Sequence, residues 1–196
     1  ALPQAYYNKI EGIEHLTTET GAGQWGAALS YAGAMFDIDV QVWQVRTSYE
    51  SKPYRRMLMD LYGGRCYSSP TMDTKAGRAM NEKFPGTTGS LGMAISEAVE
   101  VALEDEKTHY TLGSVLNHVM LHQTIIGEET LLQLKKFGED QADYVYGCAG
   151  GGSNLAGLSF PFIRELIAGN CTTKIVAVEP ASVSYTKLTL PTTPYV

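Results

Sequence analysis

The sequence has few charged residues, no long hydrophobic run and no excess of basic side chains. Charged residues make up 18% of the 196 residues, against about 25% in a typical soluble domain. Lys and Arg number 15 and Asp and Glu 21, which gives a net charge of −6. Because nucleic-acid-binding proteins usually present a basic face, we expect no nucleic-acid partner. No apolar run approaches the roughly 18 residues of a membrane span, and no signal-peptide pattern opens the chain, so we expect no membrane association.

Cysteine is also scarce. The three cysteines, Cys66, Cys148 and Cys171, are far apart, and none belongs to a CxxC pair. They form neither a disulfide framework nor a zinc site, and they favour a reducing, cytoplasmic compartment. His118 and His122 are four residues apart in a predicted helix, but the Glu and the third ligand of a zinc site are missing. We therefore interpret them as packed or hydrogen-bonded helix histidines and expect no metal.

Glycine, in contrast, is abundant, with 20 of 196 residues against a usual ~7%. Between the glycine turns, apolar residues alternate between helical and strand-like spacing, which predicts an α/β fold with a mostly parallel sheet. Strands are predicted at residues 13–18, 40–45, 65–68, 144–148 and 174–178. Helices are predicted within 1–12, 21–36, 49–62, 74–107 (two helices separated by Pro85-Gly86), 117–137 and 155–168.

The first notable glycine loop lies between a strand and a helix. Its sequence, Glu19-Thr-Gly-Ala-Gly-Gln-Trp-Gly26, matches the GxGxxG pattern of dinucleotide sites. The strand before it ends in polar residues, however, and the carboxylate of Glu19 would lie badly beside a pyrophosphate. A second interpretation is that the amides at the helix start bind a smaller anion such as a carboxylate, with Glu19 as an acid–base group at the pocket edge. A glycine turn without a ligand is the third.

A second loop, Cys148-Ala-Gly-Gly-Gly-Ser-Asn154, also connects a strand to a helix. Three consecutive glycines cost conformational entropy, which is best explained where the backbone must approach something closely. Ser153 and Asn154 suit a helix N-cap, so a capped helix after a tight turn is one interpretation. The other is a phosphate site built from amides, a hydroxyl and the helix dipole. No Gly-Lys-Ser/Thr comes after it, which argues against a nucleotide triphosphate loop.

Together the two loops resemble those of the tryptophan synthase β family, which are pyridoxal-phosphate enzymes of fold type II. The segment 19–26 resembles the family's substrate-carboxylate loop, and the segment 150–154 resembles its cofactor-phosphate loop. Trp25 fits the divergent, second type of β chain, since the common type tends to have His there. Further segments that resemble this second type are residues 1–8, 46–56 and 113–123. The resemblance covers roughly residues 1–183.

The resemblance implies a fold and a division into domains. The expected architecture is the two-lobed fold-type II arrangement with parallel-rich, three-layer sheets, truncated at both ends. Residues 1–112 would form an N-terminal lobe that includes a communication-type segment, and residues 113–183 would begin the C-terminal lobe that binds the cofactor phosphate. Residues 184–196 have no helical period and two late prolines, so we interpret them as a non-native tail similar to a translated adaptor.

The resemblance also implies an activity, the condensation of L-serine with indole to L-tryptophan with pyridoxal 5'-phosphate as cofactor. Glu19 would be the acid–base residue that helps to expel the serine hydroxyl and assists the attack of indole. The amino-acid carboxylate would be held by Thr20, Gly21, Ala22, Gly23 and Gln24. The cofactor phosphate would be held by Gly150, Gly151, Gly152, Ser153 and Asn154. An acid beside a departing hydroxyl needs a raised pKa, which a partly buried Glu beside an aromatic side chain would have.

The family's Schiff-base lysine would lie just upstream of Ala1, so it is absent from this chain. We therefore expect the chain alone to be inactive and its parent protein to be active. Two alternatives remain: another fold-type II enzyme (a serine or threonine deaminase, or a cysteine synthase-like enzyme), or a non-catalytic fragment that binds phosphate. For the parent, the resemblance implies a homodimer and a possible tryptophan synthase α chain as partner.

Two charged groups are predicted to lie outside the site. The basic residues Arg46, Lys52, Arg55 and Arg56 are interpreted as a solvated helix face or a subunit contact. The spacing of Glu97, Glu100 and Glu104 predicts an ordinary exposed helix face.

Overall fold

A computed structural model describes residues 1–179. These residues form two compact units, one of Ala1–Thr111 and one that begins at Leu112, and each is described by itself. The prediction of a non-native tail at 184–196 lies outside the described residues. None of the helices within 1–179 has the length and apolar character that crossing a bilayer requires.

The first unit is built on a parallel sheet of four strands in the order β3-β2-β1-β4. The strands are β1 His15–Thr20, β2 Asp39–Val45, β3 Arg65–Ser69 and β4 Thr108–Tyr110. The helices are α1 Leu2–Ile10, α2 Gln24–Phe36, α3 Arg46–Ser51, α4 Pro53–Leu61, α5 Lys75–Lys83 and α6 Leu91–Leu103.

Apolar side chains cover both faces of this sheet. On one face, Leu29 of α2 and Met59 of α4 are fully buried with Val42 of β2. Helix α2 approaches the sheet closely because Gly26 has no side chain, and a Cβ there would lie 2.7 Å from a Val42 methyl carbon. On the other face, α6 packs Ala94 and Ala98 against Trp43. The unit is therefore a three-layer α/β/α structure.

The second unit is smaller. It consists of α7 Asn117–Gln123, α8 Ile125–Lys136, β5 Tyr144–Cys148, α9 Ser153–Ile167 and β6 Lys174–Val178. Strands β5 and β6 are parallel neighbours, and α9 connects them. Helix α9 also packs against α7 and α8. The loop before α9 is the glycine-rich segment singled out in the sequence.

The prediction of an α/β fold with parallel sheets is confirmed, but some boundaries were wrong. The helix predicted at 49–62 is two helices, because Lys52 precedes Pro53 and a residue before proline is pushed out of the helical region. The helix predicted at 117–137 divides at Thr124, whose hydroxyl donates to the Leu121 carbonyl at 2.5 Å. Strand β4 was missed, since three residues are too few to show an alternating pattern.

Candidate active site

Glu19 lies near the end of β1 and is only 4% exposed. The phenolic hydroxyl of Tyr110, on the neighbouring strand β4, donates a hydrogen bond to Glu19 Oε2 at 2.5 Å. Burial raises the pKa of the Glu19 carboxyl, and the hydrogen bond from Tyr110 partly opposes this rise. Burial and the nearby carboxylate also raise the pKa of Tyr110, so the phenol remains a donor. Burial beside the aromatic ring of Tyr110 is the kind of environment in which the sequence led us to expect a raised pKa.

The threonines around Glu19 are buried but hydrogen-bonded. Thr17 Oγ1 donates to the Ala98 carbonyl at 2.8 Å, and Thr18 Oγ1 donates to the Thr111 carbonyl at 2.7 Å. Trp25 Nε1 in turn donates to Thr18 Oγ1 at 2.7 Å, which ties the first turn of α2 to the strand. The polar strand end, which weakened the dinucleotide interpretation, is thus a rigid frame that fixes the position of Glu19.

The helix after Glu19 begins at a glycine rather than at a residue with a capping side chain. Gly23 is the N-cap of α2, with φ +100°, and has no side chain to accept a hydrogen bond, while the Gly26 amide at the end of the first turn donates to Thr20 Oγ1 at 3.3 Å. Helices α5 and α6 differ, because Thr74 and Ser90 cap them through their hydroxyls. The first amides of a helix have no intrahelical acceptor, so those of Gln24 and Trp25 are available to an external anion. Gln24 is exposed at this helix start.

A buried glutamine lies beneath this loop. Gln44 of β2 has no exposed surface, and its Nε2 has no hydrogen-bond partner among the described residues. Gly23 packs against it so closely that a Cβ there would be 3.1 Å from Gln44 Nε2 and 2.8 Å from Arg55 Cβ. Cys66 Sγ donates to Gln44 Oε1 at 3.4 Å, and burial raises the pKa of this thiol to about 12. Sequence reasoning missed Gln44, which continues an otherwise apolar strand face after Val40 and Val42.

The second loop begins its helix in the same way. Gly152 is the N-cap of α9, with φ +94°, and it too offers no side-chain cap. The side chain of Asn154 instead accepts a hydrogen bond from the Cys148 amide at 2.9 Å, which closes the loop onto the end of β5. Gly151 has no room for a side chain, since a Cβ there would lie 2.5 Å from Ser114 Cβ. The sequence interpretation of Ser153 or Asn154 as the helix N-cap is therefore wrong.

The glutamates of α6 are not an exposed face, and this prediction was wrong for Glu97. Its side chain is completely buried and accepts hydrogen bonds from Ser69, Thr71 and Thr74, the last at 2.8 Å. These donors flank the Ser69-Pro70 bond after β3, where the sequence shows only a run of small polar residues. Sequence spacing alone could not reveal this, since helical periodicity places Glu97 and Glu104 on the same face.

The predicted basic face is not one solvated surface, because Arg46 and Arg56 have different surroundings. Arg46 donates to the Thr87 carbonyl at 3.0 Å and to Asn81 Oδ1 at 3.2 Å, so it is an internal support rather than part of a solvated face. Arg56 lies over the ring of Tyr49, 4.6 Å from its centroid. His118 and His122 are exposed and their rings meet edge to face, whereas we predicted packed or hydrogen-bonded helix histidines. Over residues 1–179 no group of three potential metal ligands occurs.

Each parallel α/β unit thus has a helix whose N-cap is a left-handed glycine, an arrangement typical of proteins that bind a phosphate or a carboxylate at a helix start. Residues 4–193 match the family model described as pyridoxal-phosphate dependent enzyme, and the chain belongs to this family. The second loop fits the phosphate of that cofactor. It offers amides and a hydroxyl as neutral donors, and the tight packing at Gly151 excludes a side chain from the loop.

The chain is similar to proteins named tryptophan synthase beta chain 2. It is 54% identical over 180 residues to that of Pyrococcus furiosus, 54% over 182 residues to that of Methanosarcina mazei and 53% over 182 residues to that of Thermotoga maritima. These matches cover 92–93% of this chain but only 40–43% of the relatives. The chain thus spans about two fifths of the length of its curated relatives.

Two solved structures share the fold. The apo diaminopropionate ammonia lyase of Escherichia coli has a TM-score of 0.65 at 14% identity, over 86% of this chain and 41% of that one. Threonine deaminase isoform 2 of Solanum lycopersicum has a TM-score of 0.60 at 22% identity, over 90% of this chain and 41% of that one. The fold of this chain is therefore that of fold-type II pyridoxal-phosphate enzymes.

Proposed function

We propose that the chain carries the acid–base, substrate-carboxylate and cofactor-phosphate segments of an enzyme that condenses L-serine with indole to give L-tryptophan. The observation that carries this proposal is the environment of Glu19. It is a buried carboxyl with a raised pKa near the end of β1, and the loop after β1 leads to helix α2, where the amides of Gln24 and Trp25 are open to an anion. The 52–54% identity to relatives named tryptophan synthase beta chain supports the same activity.

Each loop has one role in this proposal. The amides of Thr20 to Gly23, with Gln24, bind and orient the amino-acid carboxylate at the positive end of α2. The amides of Gly150 to Gly152, with Ser153 and Asn154, bind the phosphate of pyridoxal 5'-phosphate at the start of α9. When bound, this cofactor supplies an electron sink for the substrate's α-carbon.

Glu19 then performs the proton transfers. Its protonated carboxyl gives a proton to the departing hydroxyl of serine, so that the C–O bond breaks and water leaves. Its carboxylate next accepts the proton that the indole ring loses when the new C–C bond forms. A raised pKa suits both steps, because the acid form persists closer to neutral pH. The sum is L-serine plus indole giving L-tryptophan plus water.

The alternatives differ in the step after water is lost. A serine or threonine deaminase releases an α-keto acid, and a cysteine synthase-like enzyme adds sulfide. The two solved structures described above are an ammonia lyase and a deaminase, but at 14% and 22% identity they inform on the fold alone. Glu19 favours β-replacement by indole, since it can accept the proton of the incoming ring. A non-catalytic, phosphate-binding chain remains the third candidate.

The same proposal includes the compartment, the oligomeric state, the partner chain and the division into lobes. The enzyme is cytoplasmic and homodimeric, and an α chain is its possible partner. Residues 1–112 contribute the N-terminal lobe, and residues 113–183 contribute the cofactor-phosphate lobe.

A chimera tests the activity. Residues 1–179 replace the matching segment of the Pyrococcus furiosus tryptophan synthase beta chain 2, to which the chain is 54% identical. The host supplies the remaining segments, including the lysine that the resemblance locates outside this chain. With L-serine, indole and cofactor, tryptophan is measured by chromatography and pyruvate by a coupled assay.

We expect the chimera to form tryptophan as the main product and little pyruvate. If pyruvate formed with serine or an α-keto acid with threonine while indole was ignored, the deaminase alternative would be correct. A chimera that binds the cofactor but turns over no substrate would support the non-catalytic alternative.

A further inference from the structure

Tyr110 is held rigidly against one oxygen of Glu19. Its ring packs against the buried group of Trp43, Ala94 and Ala98 between the sheet and α6. Its backbone lies in β4, opposite Thr17 of β1, and the next amide, that of Thr111, donates to the Thr17 carbonyl at 2.8 Å. Because both the ring and the strand are packed in place, the phenolic oxygen is held within hydrogen-bonding distance of Glu19 Oε2, to which it donates.

We propose that Tyr110 is a positioning residue for Glu19, which occupies Oε2 and leaves Oε1 as the single oxygen that carries the exchangeable proton. This inference rests on the proposed function for its catalytic meaning. The hydrogen bond itself does not depend on that function.

The chemistry of the pair supports this assignment. A free carboxyl can hold its proton on either oxygen, and only one of them can point at a substrate. Tyr110 remains protonated, so it donates to Oε2 both when Glu19 is ionised and when it is neutral. The proton of neutral Glu19 is then confined to Oε1, and confinement of a reacting group to one geometry lowers the barrier of its transfer.

Other ionisable groups near this face of the sheet have separate partners. Glu97 accepts from the loop after β3, and Glu100 accepts from the amides of Lys75 and Ala76 at 2.7 Å. Strand β2 places Trp43 opposite Glu19. Among the described residues, Tyr110 is therefore the ionisable side chain whose hydrogen bond changes the pKa of Glu19.

The first test uses the 196-residue chain without substrate. Tyr110→Phe keeps the ring in its packing site and removes only the hydroxyl. Tyr67→Phe is the matched control, since Tyr67 packs on Trp43 in the same group at 5.3 Å between ring centroids. The carboxyl carbon resonance of Glu19 is followed by NMR across pH, and Glu19→Gln provides its assignment.

We expect the pKa of Glu19 to rise further in Tyr110→Phe, because the hydrogen bond that stabilises its charged form is lost. Tyr67→Phe should leave it at the wild-type value. If the two variants gave the same titration curve as the wild type, the positioning role of Tyr110 would be wrong, whatever the activity of the protein.

The second readout is the pH profile of the chimera described above. In Tyr110→Phe we expect kcat to fall by about tenfold to a hundredfold with little change in KM for serine. The pH at which the acid form of Glu19 is lost should move upward. A variant that only loosened the structure would lower activity without moving this pH, and that result would overturn the inference. Failure of the chimera to make tryptophan would instead overturn the proposed function and leave the NMR test valid.

Discussion

Gly23 and Gly152 begin their helices in nearly the same backbone conformation, with φ of +100° and ψ of −5° at Gly23 and φ of +94° and ψ of −14° at Gly152. Neither glycine offers a side chain to the first helical turn, whereas Thr74 and Ser90 cap the helices that begin after them. The chain thus has the same helix start twice, in which a left-handed N-cap glycine leaves the first helix amides free for an anion.

Gly152→Ala should weaken the binding of pyridoxal phosphate and of inorganic phosphate at least about tenfold, because a side chain disfavours this conformation and would lie 3.1 Å from Met120 Cε. Gly138→Ala is the matched control, since Gly138 has φ +81° but no atom within 4 Å of its Cβ position. Isothermal titration calorimetry on the 196-residue chain measures both. Equal affinities in the two variants would show that the loop does not hold the phosphate.

Glu19→Gln should stabilise the chain at neutral pH. The folded-state pKa of Glu19 is raised above its ordinary value of 4.5, so folding favours the neutral form. The stability that this group contributes is therefore complete below pH 4.5 and is lost as the pH rises through the folded-state pKa. Thermal melts at pH 4 and pH 8 should show a higher Tm for the variant at pH 8 only. Glu11→Gln, at an exposed site, should match the wild type at both, and a lower Tm for Glu19→Gln at pH 8 would contradict the account.

Glu97→Ala should destabilise the first unit by about 3 kcal/mol or more, because the hydroxyls of Ser69 and Thr74 would be left buried without an acceptor. Glu104→Ala, at the exposed end of the same helix, should change stability by less than about 0.5 kcal/mol. Urea denaturation provides the comparison. Similar midpoints for the two variants would mean that the Glu97 network contributes nothing to stability.

Gln44→Met should leave stability unchanged or increase it by up to about 1 kcal/mol. An apolar side chain of similar length removes a buried Nε2 that has no partner in the described structure, which costs about 1–3 kcal/mol, and gives up only the weak hydrogen bond from the Cys66 thiol to Oε1. Gln41→Met, on the opposite face of β2, is the control and should stay within about 0.5 kcal/mol of the wild type. A clear loss of stability confined to Gln44→Met would mean that the Gln44 amide is hydrogen-bonded in solution.

Much of the fold could be predicted from the sequence, since strands such as Tyr144–Cys148 and helix starts after glycine have strong local patterns. The partners of Glu19 could not. Tyr110 is 91 residues away along the chain and lies in a strand of three residues, so only the pairing of β4 with β1 brings them together. The burial of Glu97 could not be predicted for a related reason, because its hydrogen-bond donors come from a loop more than 20 residues earlier.

The most direct test of the central claim compares Glu19→Gln with Glu14→Gln in the chimera. Glu14 lies just before β1, exposed and paired with Lys107 at 2.5 Å, so its loss controls for a changed charge near the same strand. Steady-state formation of tryptophan from L-serine and indole is measured for both. We predict that Glu19→Gln lowers kcat by about 100-fold to 10,000-fold, while Glu14→Gln stays within about twofold of the parent chimera. Wild-type turnover in Glu19→Gln would contradict this prediction.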